Sequence, residues 1–188
     1  GRKTHFENGI FRFSGREEIK HIGYNHPRID GLAFDPRDTD VIYAAALNGV
    51  LGTRDGGDSW EILTNWRITE AKDIVVNPHN PDQVIAALPD GVAVSDDRGQ
   101  SWEYRDQGIQ RKYVQTLVVD RAQAGHLLAG TEKGIYLSTD GAQQWRLVLP
   151  AAATVNDIQQ SPHDAAVFAA ATQADGAWIS HDGGSSWE

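Results

Sequence analysis

The sequence predicts an all-β protein, a β-propeller of four-stranded antiparallel blades, on three observations. A short turn motif ending in tryptophan recurs four times, at Thr53-Arg-Asp-Gly-Gly-Asp-Ser-Trp60, Ser95-Asp-Asp-Arg-Gly-Gln-Ser-Trp102, Ser138-Thr-Asp-Gly-Ala-Gln-Gln-Trp145 and Ser180-His-Asp-Gly-Gly-Ser-Ser-Trp187. Its copies begin 42, 43 and 42 positions apart, and four of the six tryptophans fall at one place in the unit. Between copies, apolar runs of strand length alternate with turn residues, a pattern that reads as closely spaced short strands. Four such strands in a period of roughly 40–45 residues is the arithmetic of a propeller blade.

Each unit repeats the same order. Ile29-Asp-Gly-Leu-Ala-Phe34, Ala71-Lys-Asp-Ile-Val-Val76 and Val114-Gln-Thr-Leu-Val-Val119 read as first strands. They run into turns such as Asp35-Pro-Arg-Asp, Asn77-Pro-His-Asn and Ser161-Pro-His-Asp. Proline presets φ at the second turn position, and the polar residue before it bonds the backbone. A run of small apolar residues follows, as in Val41-Ile-Tyr-Ala-Ala-Ala46 and Val84-Ile-Ala-Ala87. Alanine there lets wedge-shaped sheets approach one another while still burying apolar surface. Gly49, Gly91, Gly134 and Gly176 open the third strands, and the tryptophan of each motif opens the fourth. Upstream, Asn8-Gly-Ile-Phe-Arg-Phe13 and Glu18-Ile-Lys-His-Ile22 read as the third and fourth strands of an incomplete unit. The whole chain, 1–188, is then one propeller or propeller segment: a partial blade at 6–27, blades at 28–68, 69–112 and 113–153, and a blade at 154–188 short of most of its last strand. About four to five blades are visible, so the ring is expected to be completed by further blades, by a homodimer, or by strands shared between the two ends.

Composition narrows the function classes. The net charge of −9 comes from 26 acidic against 17 basic residues with no basic block, which argues against a nucleic-acid partner. No apolar stretch is long enough to cross a bilayer as a helix. Cysteine is absent, so thiolate metal sites, disulfides and cysteine nucleophiles are excluded. Methionine is also absent and Gly1 comes first, so the expectation is a removed leader or an excerpt of something longer.

The motif Ser/Thr-x-Asp-x-Gly-x-Ser/Thr-Trp resembles the Asp box, or bacterial neuraminidase repeat. The first, second and fourth copies match it fully, and the third departs at Ala142 and Gln144. From about Ile29 onward the chain is similar to the propellers that include sialidases, xyloglucan-active endoglucanases, sortilin-type receptors and stability-factor-type photosystem II assembly factors. The resemblance implies an extracytoplasmic protein whose boxes join third to fourth strands at the periphery. Asp55, Asp97, Asp140 and Asp182 are then turn acceptors. Gly57, Gly99 and Gly184 take a positive φ, and Trp60, Trp102, Trp145 and Trp187 pack between sheets. No metal and no cofactor is expected, since an isolated turn carboxylate lacks the clustered oxygens calcium needs.

Ligands are expected on the opposite face, where the links between blades lie. Trp66 stands outside the motif in a polar link, and an exposed tryptophan can stack on a sugar ring, with Arg67 and Glu70 beside it for hydroxyls or a carboxylate. The plain alternative packs Trp66 over the blade edge beside Ile68. Arg111 and Tyr113 repeat the theme in the next link, and Tyr24, His26 and Arg28 continue it in the first. A glycosidase of ordinary type needs two facing carboxylates; Glu70, Asp106 and Asp157 are candidates without a pairing spacing, so no catalytic residue is assigned. The reading is a non-catalytic module recognising a glycan or protein partner. The alternatives are part of a secreted glycoside hydrolase of xyloglucanase-like or sialidase-like kind, and an assembly factor for a membrane complex.

Overall fold

The structure is a computed structural model that describes residues 10–15, 18–22 and 28–188. Among these residues there is no helix, and every sheet is antiparallel. A hairpin, β1 (Phe11–Ser14) and β2 (Glu18–His21), comes first. Blade one is β3 (Ile29–Asp35), β4 (Asp38–Ala46), β5 (Gly49–Thr53) and β6 (Glu61–Ile62), paired in chain order. Blade two is β7 (Asp73–Val76), β8 (Val84–Leu88), β9 (Gly91–Ser95) and β10 (Glu103–Tyr104). Blade three is β11 (Val114–Val119), β12 (Leu127–Thr131), β13 (Gly134–Ser138) and β14 (Arg146–Pro150). Blade four is β15 (Val155–Gln160), β16 (Phe168–Thr172) and β17 (Ala177–Ser180); its fourth strand is begun by Glu188, which exchanges two 2.9 Å backbone bonds with Ile179. The first strands lie innermost, each packed on the next, and together they line one central cavity. The described residues form a β-propeller with four blades.

The second strands show why the alanine runs are there. Ala44 to Ala46, Ala86 and Ala87 are wholly buried between sheets, where a bulkier side chain would force the blades apart. At the hairpin into β13, Gly134 has φ +129°, and a Cβ would lie 1.8 Å from the Leu149 carbonyl oxygen. No other residue fits that place without moving the fourth strand.

The repeated turn is held by its own side chains. Thr53 Oγ1 donates to Asp55 Oδ1 (2.7 Å) and accepts from the Gly57 amide (3.0 Å). Asp55 also takes the Ser59 amide at 2.9 Å and the Ser59 hydroxyl at 2.6 Å. Asp97 and Asp182 receive the same set. The serine hydroxyl above all, then its amide, holds these three carboxyls down to about 2. In the third turn Gln144 has no hydroxyl to give, and Asp140 keeps the Gln144 amide at 2.9 Å. Ala142 nonetheless adopts φ 72°, the left-handed conformation taken by Gly57, Gly99 and Gly184 in the other turns, at a cost on the order of 1 kcal/mol. The tryptophan N–H groups close the arrangement on backbone carbonyls, Trp102 on Gly99 at 3.1 Å and Trp187 on Gly184 at 3.0 Å.

On this turn side, side chains tie blade to blade. Arg37 bridges Asp35 of blade one to Asp82 of blade two at 2.9 and 2.8 Å. Asp120 accepts from Gln160 of blade four (2.8 Å), while His126 Nδ1 lies 3.3 Å from it without hydrogen-bond geometry. Burial, which the Asp120 carboxylate only partly offsets, pushes the His126 pKa below its ordinary value. The fold therefore favours neutral His126, so its contribution is intact above a pH of about 6.5 and is lost as pH falls below that. Denaturant titrations at neutral and mildly acid pH should show wild type losing at most about 1.4 kcal/mol per pH unit through this group. The His126→Gln variant should lose measurably less, and an identical acid slope in both proteins would refute the assignment.

Candidate binding face on the interblade links

The opposite side is built from the links and the turns between second and third strands. The link from blade one to blade two folds back on blade one. The Asn65 side chain and carbonyl accept from the amides of Arg67 (2.9 Å) and Ile68 (3.0 Å). Ile68 is buried and anchors the turn. Glu70 then takes φ 56°, its amide donating to the Leu47 carbonyl at 2.8 Å. A link anchored this way pushes Trp66 outward, and its ring is 80% exposed. Packing over the blade edge is not what this tryptophan does. The Arg67 guanidinium lies 5.2 Å from the ring centroid, while the Arg67 carbonyl accepts from the Tyr104 hydroxyl at 3.0 Å. Asp90 Oδ2 lies 2.9 Å from the same hydroxyl, whose single proton the two acceptors share, and burial together with this bond raises the hydroxyl's pKa.

Arg28, Glu70 and Tyr113 come together where the first three blades adjoin. The Lys72 side chain is buried, its ammonium 5.6 Å from the Tyr113 ring centroid and 3.9 Å from the Glu70 carboxylate. Arg28 pairs with Asp30 at 2.7 Å, and this bond, with the fields of Asp30, Tyr113 and Glu70, raises its pKa. Arg28, Glu70 and Tyr113, far apart in sequence, thus share one electrostatic neighbourhood. Trp66 and Arg67 extend the same link outward from it. Arg111 is exposed, and its neighbour Lys112 pairs with Asp106 at 2.9 Å. Tyr24 and His26 lie outside the described residues. Lys72, Asp30 and Tyr104 were not singled out from sequence. Lys72 and Asp30 sit within apolar first-strand runs, and Tyr104 lies in a fourth strand, so only their partners mark them out.

The second concavity is the central cavity of about 440 Å3, lined by first-strand residues of all four blades, among them Asp73, Thr116, Asp157 and Gln159. The two carboxylates feel each other, since Asp157 adds to the upward shift that burial imposes on Asp73. Both Asp73 oxygens are already engaged. Oδ1 accepts the Ile74 amide at 2.8 Å, and Oδ2 accepts the Leu117 amide and Thr116 hydroxyl at 2.9 and 3.1 Å. Glu70 and Asp106 face lysines. Among the described residues no group of three or more His, Asp or Glu side chains is arranged to hold a metal ion.

No family model matches the chain, and no curated protein does. Solved structures match it widely. The extracellular domain of the putative hybrid two-component system BT4673 from B. thetaiotaomicron superposes with a TM-score of 0.77 at 14% identity, covering 97% of this chain and 25% of that one. An ancestral GH74 enzyme gives 0.75 at 18% identity, covering 86% and 24%. YCF48 bound to D1 peptide gives 0.65 at 18% identity, covering 85% and 54%. The chain thus spans about a quarter of the first two and about half of the third. At these identities the likeness is one of fold.

Proposed function

We propose that this propeller is a non-catalytic binding module that recognises a glycan or protein partner through the links of blades one to three. The observation that carries the reading is Trp66: a large ring held out in solvent by an anchored link, with Arg67 stacked on it and the Arg28–Glu70–Tyr113 group close by. An exposed aromatic face suits the C–H face of a sugar or a partner's apolar side chain. The cation and carboxylate beside it supply charge-assisted bonds to hydroxyls or a peptide carboxylate. We read the four turns as Asp boxes, on the strength of their hydrogen-bond sets, and so place the chain among the bacterial neuraminidase repeat propellers outside the cytoplasm. The BT4673 likeness, an extracellular domain, agrees with that location.

The experiment is titration of the whole chain with xyloglucan oligosaccharides and with a displayed peptide library. Binding to one class is expected, with Trp66→Ala weakening it by at least about tenfold, the scale of a central aromatic contact. The variant's melting temperature should stay unchanged, because the ring buries little. Silence from both probe classes, or binding indifferent to Trp66, would sink the reading. The glycoside hydrolase alternative rests on Asp73 and Asp157 lining one cavity, and release of reducing ends from xyloglucan in the same titration would favour it. The YCF48 likeness, with its bound peptide, keeps the assembly-factor alternative within the peptide arm of the test.

A further inference from the structure

The link that carries Trp66 also holds two opposite charges that approach each other without bonding. The Lys72 side chain keeps only 3% of its surface, and among the described residues its ammonium donates no hydrogen bond. It has instead the Tyr113 ring at 5.6 Å and the Glu70 carboxylate at 3.9 Å. The ring eases burial of the charge, but 3.9 Å lies well beyond hydrogen-bond distance. A buried ammonium without an acceptor is costly, because its desolvation is not offset. Glu70 is the other half of the pair. Its side chain is 54% exposed, and among the described residues its carboxylate accepts no hydrogen bond. It stands at φ 56°, where glycine would sit without strain and a residue with a side chain does not. The link thus holds a carboxylate at the surface beside a buried cation and leaves a gap between them.

That gap selects for one kind of group. An oxygen roughly 2.8 Å from each atom fits between them, and it must accept from the ammonium and donate to the carboxylate. A hydroxyl does both. A carboxylate only accepts and would lie against Glu70, while an ammonium only donates and would lie against Lys72. A peptide carbonyl or amide likewise does one of the two. The surroundings add little for a charged ligand: Arg28 is paired with Asp30 at 2.7 Å and Lys112 with Asp106 at 2.9 Å. The net charge of −9 repels anions in general. Trp66, in the same link, adds an exposed ring. A hydroxyl next to a C–H face for an aromatic ring is the outline of a neutral sugar.

We infer that the Lys72–Glu70 pair reads a ligand hydroxyl beside Trp66, and that the ligand is a neutral glycan. The inference rests on the binding reading above and narrows it from glycan or protein to one class. One sugar ring lies on Trp66. A hydroxyl of that ring or of the adjoining one enters the gap, accepting from Lys72 Nζ and donating to Glu70 Oε2. Sugars with a carboxylate at that place are repelled by Glu70. Sugars lacking the hydroxyl leave Lys72 without its acceptor, and a site built to bond a hydroxyl rejects such analogues strongly.

Calorimetric titration of the full chain tests this, with neutral gluco-, galacto-, manno- and xylo-oligosaccharides beside glucuronate and galacturonate oligosaccharides. A neutral member should bind, and every uronate should bind at least about tenfold more weakly. Lys72→Met keeps the buried stem and removes the donors. It should weaken neutral-sugar binding at least about tenfold, the scale of a hydrogen bond to a charged group. Its melting temperature should not fall, because the ammonium it removes makes no hydrogen bond. Glu70→Gln keeps an acceptor and loses the charge, so the preference for neutral sugars over uronates should narrow. Trp66-dependent binding that ignores Lys72→Met, or that goes to peptides or uronates, would overturn the inference and leave the binding reading standing. Silence from every saccharide and peptide would end both.

Discussion

Replacing Trp145 with alanine is expected to destabilise the propeller by about 3–5 kcal/mol, the range for deleting a large buried aromatic. The ring is 5% exposed and packs in a core shared by the second and third blades, with Ile85, Val94, Leu117 and Tyr136 among its members. Its indole N–H donates to the Arg105 carbonyl at 2.9 Å, and its backbone amide donates to the Gln107 carbonyl at 2.8 Å. The residue therefore joins the third blade's turn to the link that leaves blade two. Alanine would open a cavity and leave the Arg105 carbonyl without its donor; the two penalties act together. Trp145→Phe keeps most of the packing and should lose about 1–2 kcal/mol, mainly the unpaired carbonyl. Urea unfolding followed by circular dichroism measures both. A Trp145→Ala loss below that of Trp145→Phe would show that the ring is peripheral to the blade contact.

The contrast with Trp66 shows how far the sequence carries. Both are tryptophans near polar residues, and only the period separates them: Trp145 occupies the repeated place and Trp66 does not. The fold was legible because each blade restates the same solution, so a turn, an alanine run or a glycine is read four times over. Much of the candidate site is stated once and lies in three links. Arg28, Glu70 and Tyr113 were each visible as polar or aromatic link residues, but their meeting depends on how blades one, two and three are set about the axis. Lys72 was hidden by its place at the head of an apolar strand, where its partners Tyr113 and Glu70 come from elsewhere in the chain. The likeness of Asp73 to Asp157 was visible as a repeat feature. What the sequence could not display is the register shift beside that position in blades one, three and four, between Ile29 and Gly31, Val114 and Thr116, and Val155 and Asp157, nor that the side chain of Asp73 reaches the next blade.

That reach makes Asp73 the second position where a large effect is expected. Its carboxylate accepts the Ile74 amide, the Leu117 amide and the Thr116 hydroxyl, and Gly31 opposite leaves room for it, since a Cβ there would lie 2.9 Å from Oδ1. Asp73→Ala strands two amides at a mostly buried blade junction and should cost about 2–4 kcal/mol. Asp73→Asn keeps one carbonyl acceptor but turns two N–H donors toward groups that are themselves donors, so roughly half that loss is expected. The pH dependence distinguishes a carboxylate that is favoured in the fold from one that is merely tolerated. Burial outweighs the three hydrogen bonds and raises the Asp73 pKa, with the Asp157 charge adding to it. A carboxyl whose folded pKa is raised contributes stability below its unfolded value of about 3.9, and that stability is lost as pH rises through the folded pKa. The stability advantage of wild type over Asp73→Asn should therefore shrink as pH is raised from about 4 toward neutrality. An advantage that grows with pH would mean that the donors win over desolvation, and Asp73 would then be a fully paid-for anion bonded across the blade junction. An advantage that shrinks means that the propeller tolerates this charge because the Leu117 amide needs an acceptor and no neutral side chain of that size supplies both oxygens.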